Sequence, residues 1–194
     1  ELAFLNHTIG ASPEEDLLLQ MQGMIAEYER TKIMERSRRG KRHAAKRGSL
    51  NVLMQAPYGY RYITKHEGGG QAQYQVNFEQ AKVVGQVFEW YGRDRLTLRE
   101  IARRLNRAGV AGARGKLWCA TTIGHMLRNR AYKGQAIFGK TRSGDRAPRL
   151  RPPRGAPEHP RYAAARCPTK PEDQIVIPVP AIVSEELFES IAEQ

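Results

Sequence analysis

The 194 residues can bury a sizeable core, in one large domain or two unequal ones, and 32 Lys and Arg against 20 Asp and Glu leave a net charge of +12. Such an excess favours a polyanionic partner, nucleic acid before an acidic membrane surface. No stretch reaches the roughly 18 consecutive apolar residues of a membrane span, no secretory signal layout opens the chain, and Cys119 and Cys167 stand far apart without a CxxC pair. The expectation is a cytoplasmic chain with two free thiols, no membrane partner, no disulfide framework and no metal site.

Taken in order, ELAFLNHTIG is a short apolar run ending at a glycine, so residues 1–11 are expected to be the last strand of a domain whose earlier part lies upstream. In SPEE, Ser12 is placed to cap a helix, Pro13 occupies its first position and Glu15 completes a capping box. Apolar residues recur at Leu17, Leu18, Met21, Met24, Ile25, Tyr28 and Ile33, and no proline intervenes before Gly48. The spacing predicts one helix over 12–47, about 50 Å long at a rise of about 1.5 Å per residue.

The second half of that helix carries Arg30, Lys32, Arg36, Arg38, Arg39, Lys41, Arg42, Lys46 and Arg47 against Glu35 alone. A solvated surface with cations offsetting the helix dipole is one reading. A solvated face usually mixes signs, whereas here the cations run nearly all the way round, as phosphates would require. The apolar half is therefore expected to pack against protein and the basic half against nucleic acid.

After Gly48, PYGYRYIT and QYQVN read as two short aromatic strands joined by a flexible tip at Gly68–Gly70. Asn77 and Gln80 form a second capping box before a helix to about Tyr91. LTLREIARRLNRAGV and AGARGKLWCATTIGHMLRN then read as helix, connection, helix, with Thr97 as a cap, Gly109 as a stop, and Ile101, Ala102, Leu105, Ile123, Met126 and Leu127 inward. Thr121, Thr122, His125 and Arg128 are left outward, side chains that suit base edges or phosphates on a recognition helix. Any two short helices joined by a loop would share the pattern. The connection, Ala108 to Cys119, is long for a tight turn and is expected to be a basic loop carrying Arg114 and Lys116. Residues 48–140 thus form the expected DNA-binding domain.

YKGQAIFGK and DQIVIPV read as two further strands, separated over 141–172 by a Pro-, Gly- and Arg-rich segment expected to be a mobile basic loop. In the final stretch, 173–194, a return strand leads to an amphipathic helix capped by Ser184. The fold class expected is α+β, mainly α: a long first helix, then a helix-turn-helix, winged-helix-like domain with small β-hairpins.

The ordered set FLNHTIGASPEEDLLLQMQGMIAEYERTKIMERSRRGKRHAAKRG, APYGYRY, LREIARRLNRAGV, Trp118, HMLRNRAYKG and IPVPAIVSEELFE resembles the large serine recombinases, along essentially the whole chain. These are phage integrases and transposon recombinases. The resemblance implies a catalytic resolvase-type domain ending in the long helix, a recombinase domain that reads a double-stranded DNA attachment site, and a downstream zinc ribbon. It implies a homodimer through the long helix, a tetramer in the synaptic complex, and strand exchange through a phosphoserine intermediate. Glu29 and Arg30 match an acidic and basic pair beside the family's active site; an ordinary surface ion pair is the alternative. None of the six serines, Ser12, Ser37, Ser49, Ser143, Ser184 and Ser190, has the family's nucleophile setting, and the ribbon's cysteines are absent. The chain is therefore expected to bind DNA without cutting it, to need no cofactor, and to leave zinc to the ribbon. Cys119 stands where relatives often carry a capping Ser. A free-standing helix-turn-helix transcriptional regulator is the first rival reading, and a basic RNA-binding protein the second.

Overall fold

The computed structural model describes residues 13–53, 55–115, 117–148 and 162–193. The chain divides into two compact units, Glu1–His43 and Ala44–Gln194. The expected strand at 1–11, the Ser12 cap and Lys116 lie outside the described residues.

Helix α1 runs over Pro13–Lys46, with Glu14, Glu15 and Asp16 in its first turn, where carboxylates oppose the positive end of the dipole. Its apolar positions Leu17, Leu18, Met21, Met24, Ile25, Tyr28 and Ile33 are all exposed, Met24 to 66%. The last turn differs: Ala45 is buried and, with Leu50 beyond the helix, belongs to the core of the second unit.

That unit is a mixed helix and sheet structure with small antiparallel strand pairs. Strand β1 (Tyr60–Ile63) pairs with β2 (Gln73–Val76) in the register Tyr60↔Val76 and Tyr62↔Tyr74. Helix α2 (Phe78–Gly92) is capped by Asn77, whose side chain accepts from the Gln80 amide. Only half of the expected capping box forms. The Gln80 Oε1 accepts instead from the Gly59 amide at 3.0 Å, while the Asn77 amide donates to the Gly59 carbonyl at 2.9 Å. Gly59 offers a better-placed donor than the cap's own amide, so the start of α2 is tied to the entry of β1.

Helix α3 (Leu98–Arg107) starts at Thr97, which accepts from the Glu100 amide, and stops where Gly109 takes φ +67°. Helix α4 (Ala120–Leu127) packs on it. After α4, strand β3 (Gln135–Phe138) precedes β4 (Thr141–Pro148), and β5 (Tyr162–Pro168) precedes β6 (Ile175–Pro178). β3 and β6 fall on the two expected strands and pair with each other, and β4 pairs with β5, both antiparallel. Of the segment 141–172 expected as a mobile loop, the flanks Thr141–Pro148 and Tyr162–Pro168 are paired strands and a short 3-10 turn lies at Pro171–Asp173, while 149–161 lie outside the described residues. Helix α5 (Glu185–Ala192), capped by Ser184, packs on α2.

Val84, Val87, Phe88, Ile101, Leu105, Ile123, Tyr132 and Ile177 are fully buried, so every helix after α1 except α5, together with β6, contributes a wholly enclosed side chain. Phe88 lies between Tyr132 (5.8 Å between centroids) and Phe188 (5.9 Å), which joins α5 to the same core. Lys133 passes beneath α5, reaching Glu185 at 3.1 Å and also Glu189, with its ammonium 5.5 Å from the Phe188 ring.

Three tyrosines thread hydroxyls through this core. The single Tyr60 hydroxyl proton is shared between the Ala131 and Pro180 carbonyls (2.9 and 2.7 Å), Tyr74 donates to the Gln55 carbonyl (2.7 Å) and Tyr132 to the Tyr58 carbonyl (2.9 Å). Burial raises all three phenols above the ordinary tyrosine value, Tyr74 to about 12. Unfolded tyrosines lose protons near pH 10, so above it the unfolded chain holds fewer protons than the native one. Stability is then expected to be intact below about pH 10 and to fall between about pH 10 and 12. Phenolate absorbance should rise together with loss of near-ultraviolet dichroism; independent titration of all eight tyrosines in the folded chain would contradict this.

Candidate nucleic-acid interface

On α1 the described cations from Arg30 onward are exposed. Arg39 pairs with Glu35 at 2.9 Å and Arg30 with Glu27 at 3.6 Å, each along the helix. Arg36, Arg38, Lys41, Lys46 and Arg47 make no ion pair among the described residues, whereas Arg42 has a partner. Successive helical residues diverge by about 100°. Glu29 and Arg30 are therefore neighbours in sequence but point apart, and Arg30 reaches back to Glu27 rather than to Glu29.

The second group of candidates is on α4. Ile123, Met126 and Leu127 are buried, whereas Thr121, Thr122, His125 and Arg128 are exposed. Thr121, His125 and Arg128 share an arc of about 60° on the helix, while Thr122 stands about 100° round from Thr121. Thr122 also has a local partner, with its hydroxyl 3.1 Å from the Cys119 thiol. Cys119 holds the N-cap position but caps no amide with its side chain. The Thr122 hydroxyl, then the nearby backbone of Thr122 and Thr121 at the start of the helix, hold this exposed thiol below the usual cysteine value. Arg128 folds back across Gly124 and lines, with Leu98, Leu127, Arg130 and Phe188, a cleft of about 470 Å³ beside α5.

The connection between α3 and α4 is braced rather than loose. Asn106, near the end of α3, accepts from the Trp118 amide and donates to the Trp118 carbonyl, both at 2.9 Å. Trp118 is buried, donates through Nε1 to the Val110 carbonyl at 3.0 Å, and meets Tyr58 edge to face at 4.9 Å. The residue before the N-cap of α4 is thereby fixed to α3. Arg114 lies on a short 3-10 turn, Ala113–Gly115, within this connection. Sequence reasoning missed Asn106, because an asparagine near a helix end reads as a stop signal and its partners lie 12 residues on.

No group of three or more His, Cys, Asp or Glu able to hold a metal occurs among the described residues, and no described helix is long and apolar enough to cross a membrane. Among the described residues, then, α1 carries exposed cations without an ion pair, and α4 separately carries an exposed Thr, His and Arg stripe. The Recombinase family model matches residues 79–194, and the Resolvase N-terminal domain model matches residues 1–50. The chain therefore belongs to the recombinase family, as a large serine recombinase with the resolvase segment ahead of the recombinase segment.

A putative DNA recombinase of Bacillus subtilis (strain 168) is 28% identical over 139 residues, covering 69% of this chain and 27% of that protein. The chain thus spans about a quarter of that relative's length. Among solved structures, a crystal structure of an LSR–DNA complex matches with a TM-score of 0.49 at 16% identity, covering 81% of this chain and 36% of the other. A structure concerned with the Listeria innocua prophage attP site matches with a TM-score of 0.45 at 15% identity, covering 82% and 49%.

Proposed function

We propose that this chain is a duplex-DNA-contacting part of a site-specific recombinase that integrates or excises a mobile element. In the complete enzyme a serine hydroxyl attacks a DNA phosphodiester, giving a phosphoserine link that religation later reverses. Arg30, with Glu29, steadies charge near that site, and the exposed apolar face of α1 receives a second copy of the chain. Helices α3 and α4 act as a helix-turn-helix pair whose recognition stripe is Thr121, His125 and Arg128. The observation that carries this reading is the set of exposed cations on and just beyond α1, Arg36, Arg38, Lys41, Lys46 and Arg47, none of which makes an ion pair among the described residues. Such a set is self-repulsive in water and is relieved by displacing condensed counterions from a phosphate backbone. No cofactor is assigned to the chain itself.

The test is retention of duplex DNA by the chain as a function of salt. A steep linear fall of log affinity with log salt is expected, with no adduct surviving denaturation, since no serine here has a nucleophile's setting. Changing Arg36, Arg38, Lys41 and Lys46 to Gln should shallow the slope by about 3 to 4, at about 0.9 for each phosphate left without its cation. An unaltered slope would take α1 off the DNA, and a serine-dependent adduct would restore catalysis to this chain.

A further inference from the structure

We infer that the β4–β5 ribbon is a second DNA-contacting arm, entering a groove of the duplex beyond the one met by α4. This rests on the duplex-binding reading above and adds an element to it that neither the helix pattern nor the family match assigns.

The ribbon lacks what a strand pair needs to lie on its own protein. Apart from Tyr162, its strands, TRSGDRAP and YAAARCP, offer only alanines, a cysteine and prolines as apolar residues, with no Val, Ile, Leu or Phe, and they pack chiefly on each other. An isolated two-stranded ribbon is marginal in water, so a partner must stabilise it. The charge names the partner's chemistry. Lys140, Arg142, Arg146, Arg166 and Lys170 face only Asp145 in sequence over the described stretches 140–148 and 162–170.

The register decides how those charges are displayed. Arg142 pairs with Cys167 and Ser143 with Arg166. Directly paired residues share a face and successive residues alternate, so Arg142 and Arg166, both exposed, stand on opposite faces. A ribbon resting on a core has one apolar face. One inserted between two phosphate walls carries cations on both. Two strands about 4.8 Å apart with short side chains fit a major groove about 12 Å wide, and the Ser, Gly and Ala content lets the backbone approach its floor.

The root of the ribbon continues the cationic surface from α4. The Thr169 amide donates to the Lys140 carbonyl at 3.0 Å, so the strand pairing extends toward β3 and β6. Lys140 is held below the usual lysine value by desolvation first and by the charge of Arg130 second. Arg130 in turn lines the same cleft as Arg128, at the end of α4. A phosphate between these groups would relieve the repulsion that Arg130 imposes on Lys140.

The experiment uses the whole chain and a duplex it selects from a random-sequence pool. Lys140→Gln, Arg142→Gln, Arg166→Gln and Lys170→Gln together should shallow the salt slope by about 2 to 4 and weaken binding at least tenfold in moderate salt. The unfolding midpoint should not move, because the ribbon packs chiefly on itself. Arg142→Lys with Arg166→Lys, each keeping its charge, should keep the slope of the parent. A direct readout comes from Cys167: in a Cys119→Ser background, an iron chelate tethered to this thiol should cut the duplex, and at positions distinct from those cut from Cys119 in a Cys167→Ser chain. An unaltered slope in the quadruple variant, or no cutting from Cys167 while Cys119 cuts, overturns the ribbon assignment alone. Failure of the parent chain to retain any duplex overturns the duplex-binding reading and the ribbon with it.

Discussion

Gly59→Ala is expected to lower the stability of the second unit by about 3 kcal/mol, by adding a backbone penalty to a steric one. At φ +95° the residue sits where an L side chain is strained, a cost of about 1 to 2 kcal/mol. A Cβ there would stand 3.0 Å from Ile182 Cδ1 and 3.1 Å from Val84 Cγ2, inside a packed core, where inserting a methyl typically costs about 1 to 3 kcal/mol. Escape by rotating the backbone is blocked, because its amide and carbonyl are held by Gln80 and Asn77. Urea unfolding should show the midpoint displaced at unchanged slope. A loss below about 1 kcal/mol would mean that Ile182 and Val84 yield freely, against their close packing here.

The second large effect falls on the brace between α3 and α4. Trp118→Ala removes a buried ring, its edge contact with Tyr58 and the bond to the Val110 carbonyl, and truncations of this kind cost about 3 to 5 kcal/mol. Asn106→Ala separates position from bulk: it leaves the ring in place but strips the partners from the Trp118 amide and carbonyl, at about 1 to 3 kcal/mol for each buried group left unpaired. If this brace sets the pose of α4, Asn106→Ala should weaken selection of a preferred duplex more than retention of random duplex. Equal losses on both would reduce Asn106 to a contributor to folding. Stability within about 0.5 kcal/mol of the parent would show that water replaces the side chain without penalty.

What could be read from sequence follows the range of the interactions. The caps at Asn77, Thr97 and Ser184, the inward faces of α3 and α4, the stop at Gly109 and the strands β3 and β6 depend on residues a few positions apart or on clear apolar runs. The diversion of Gln80 to Gly59 was not legible, because its partner is 21 residues away. The ribbon escaped for another reason: without alternating apolar residues its strands resemble a linker, and only the pairing of Thr141 with Pro168 and onward distinguishes them. On α4 the outward face was legible by helical spacing, but the local bond between Thr122 and Cys119 was hidden in what looked like an uncapped start.

Lys133 gives α5 a distinctive dependence. Eight residues are too few for a helix to persist alone, since nucleation is unfavourable below about 12 to 15 residues. Two of the anchors of α5 converge on neighbouring turns: the ammonium of Lys133, gripped by Glu185 and Glu189, and the ring of Phe188 that the same ammonium faces. The helix therefore depends on its dock for both kinds of contact: Phe188 and Ile191 are buried in the core, and neutralising the one cation would release both carboxylates at once. An eight-residue helix at the surface thus takes its order from the core beneath it, with the lysine as its polar fastening.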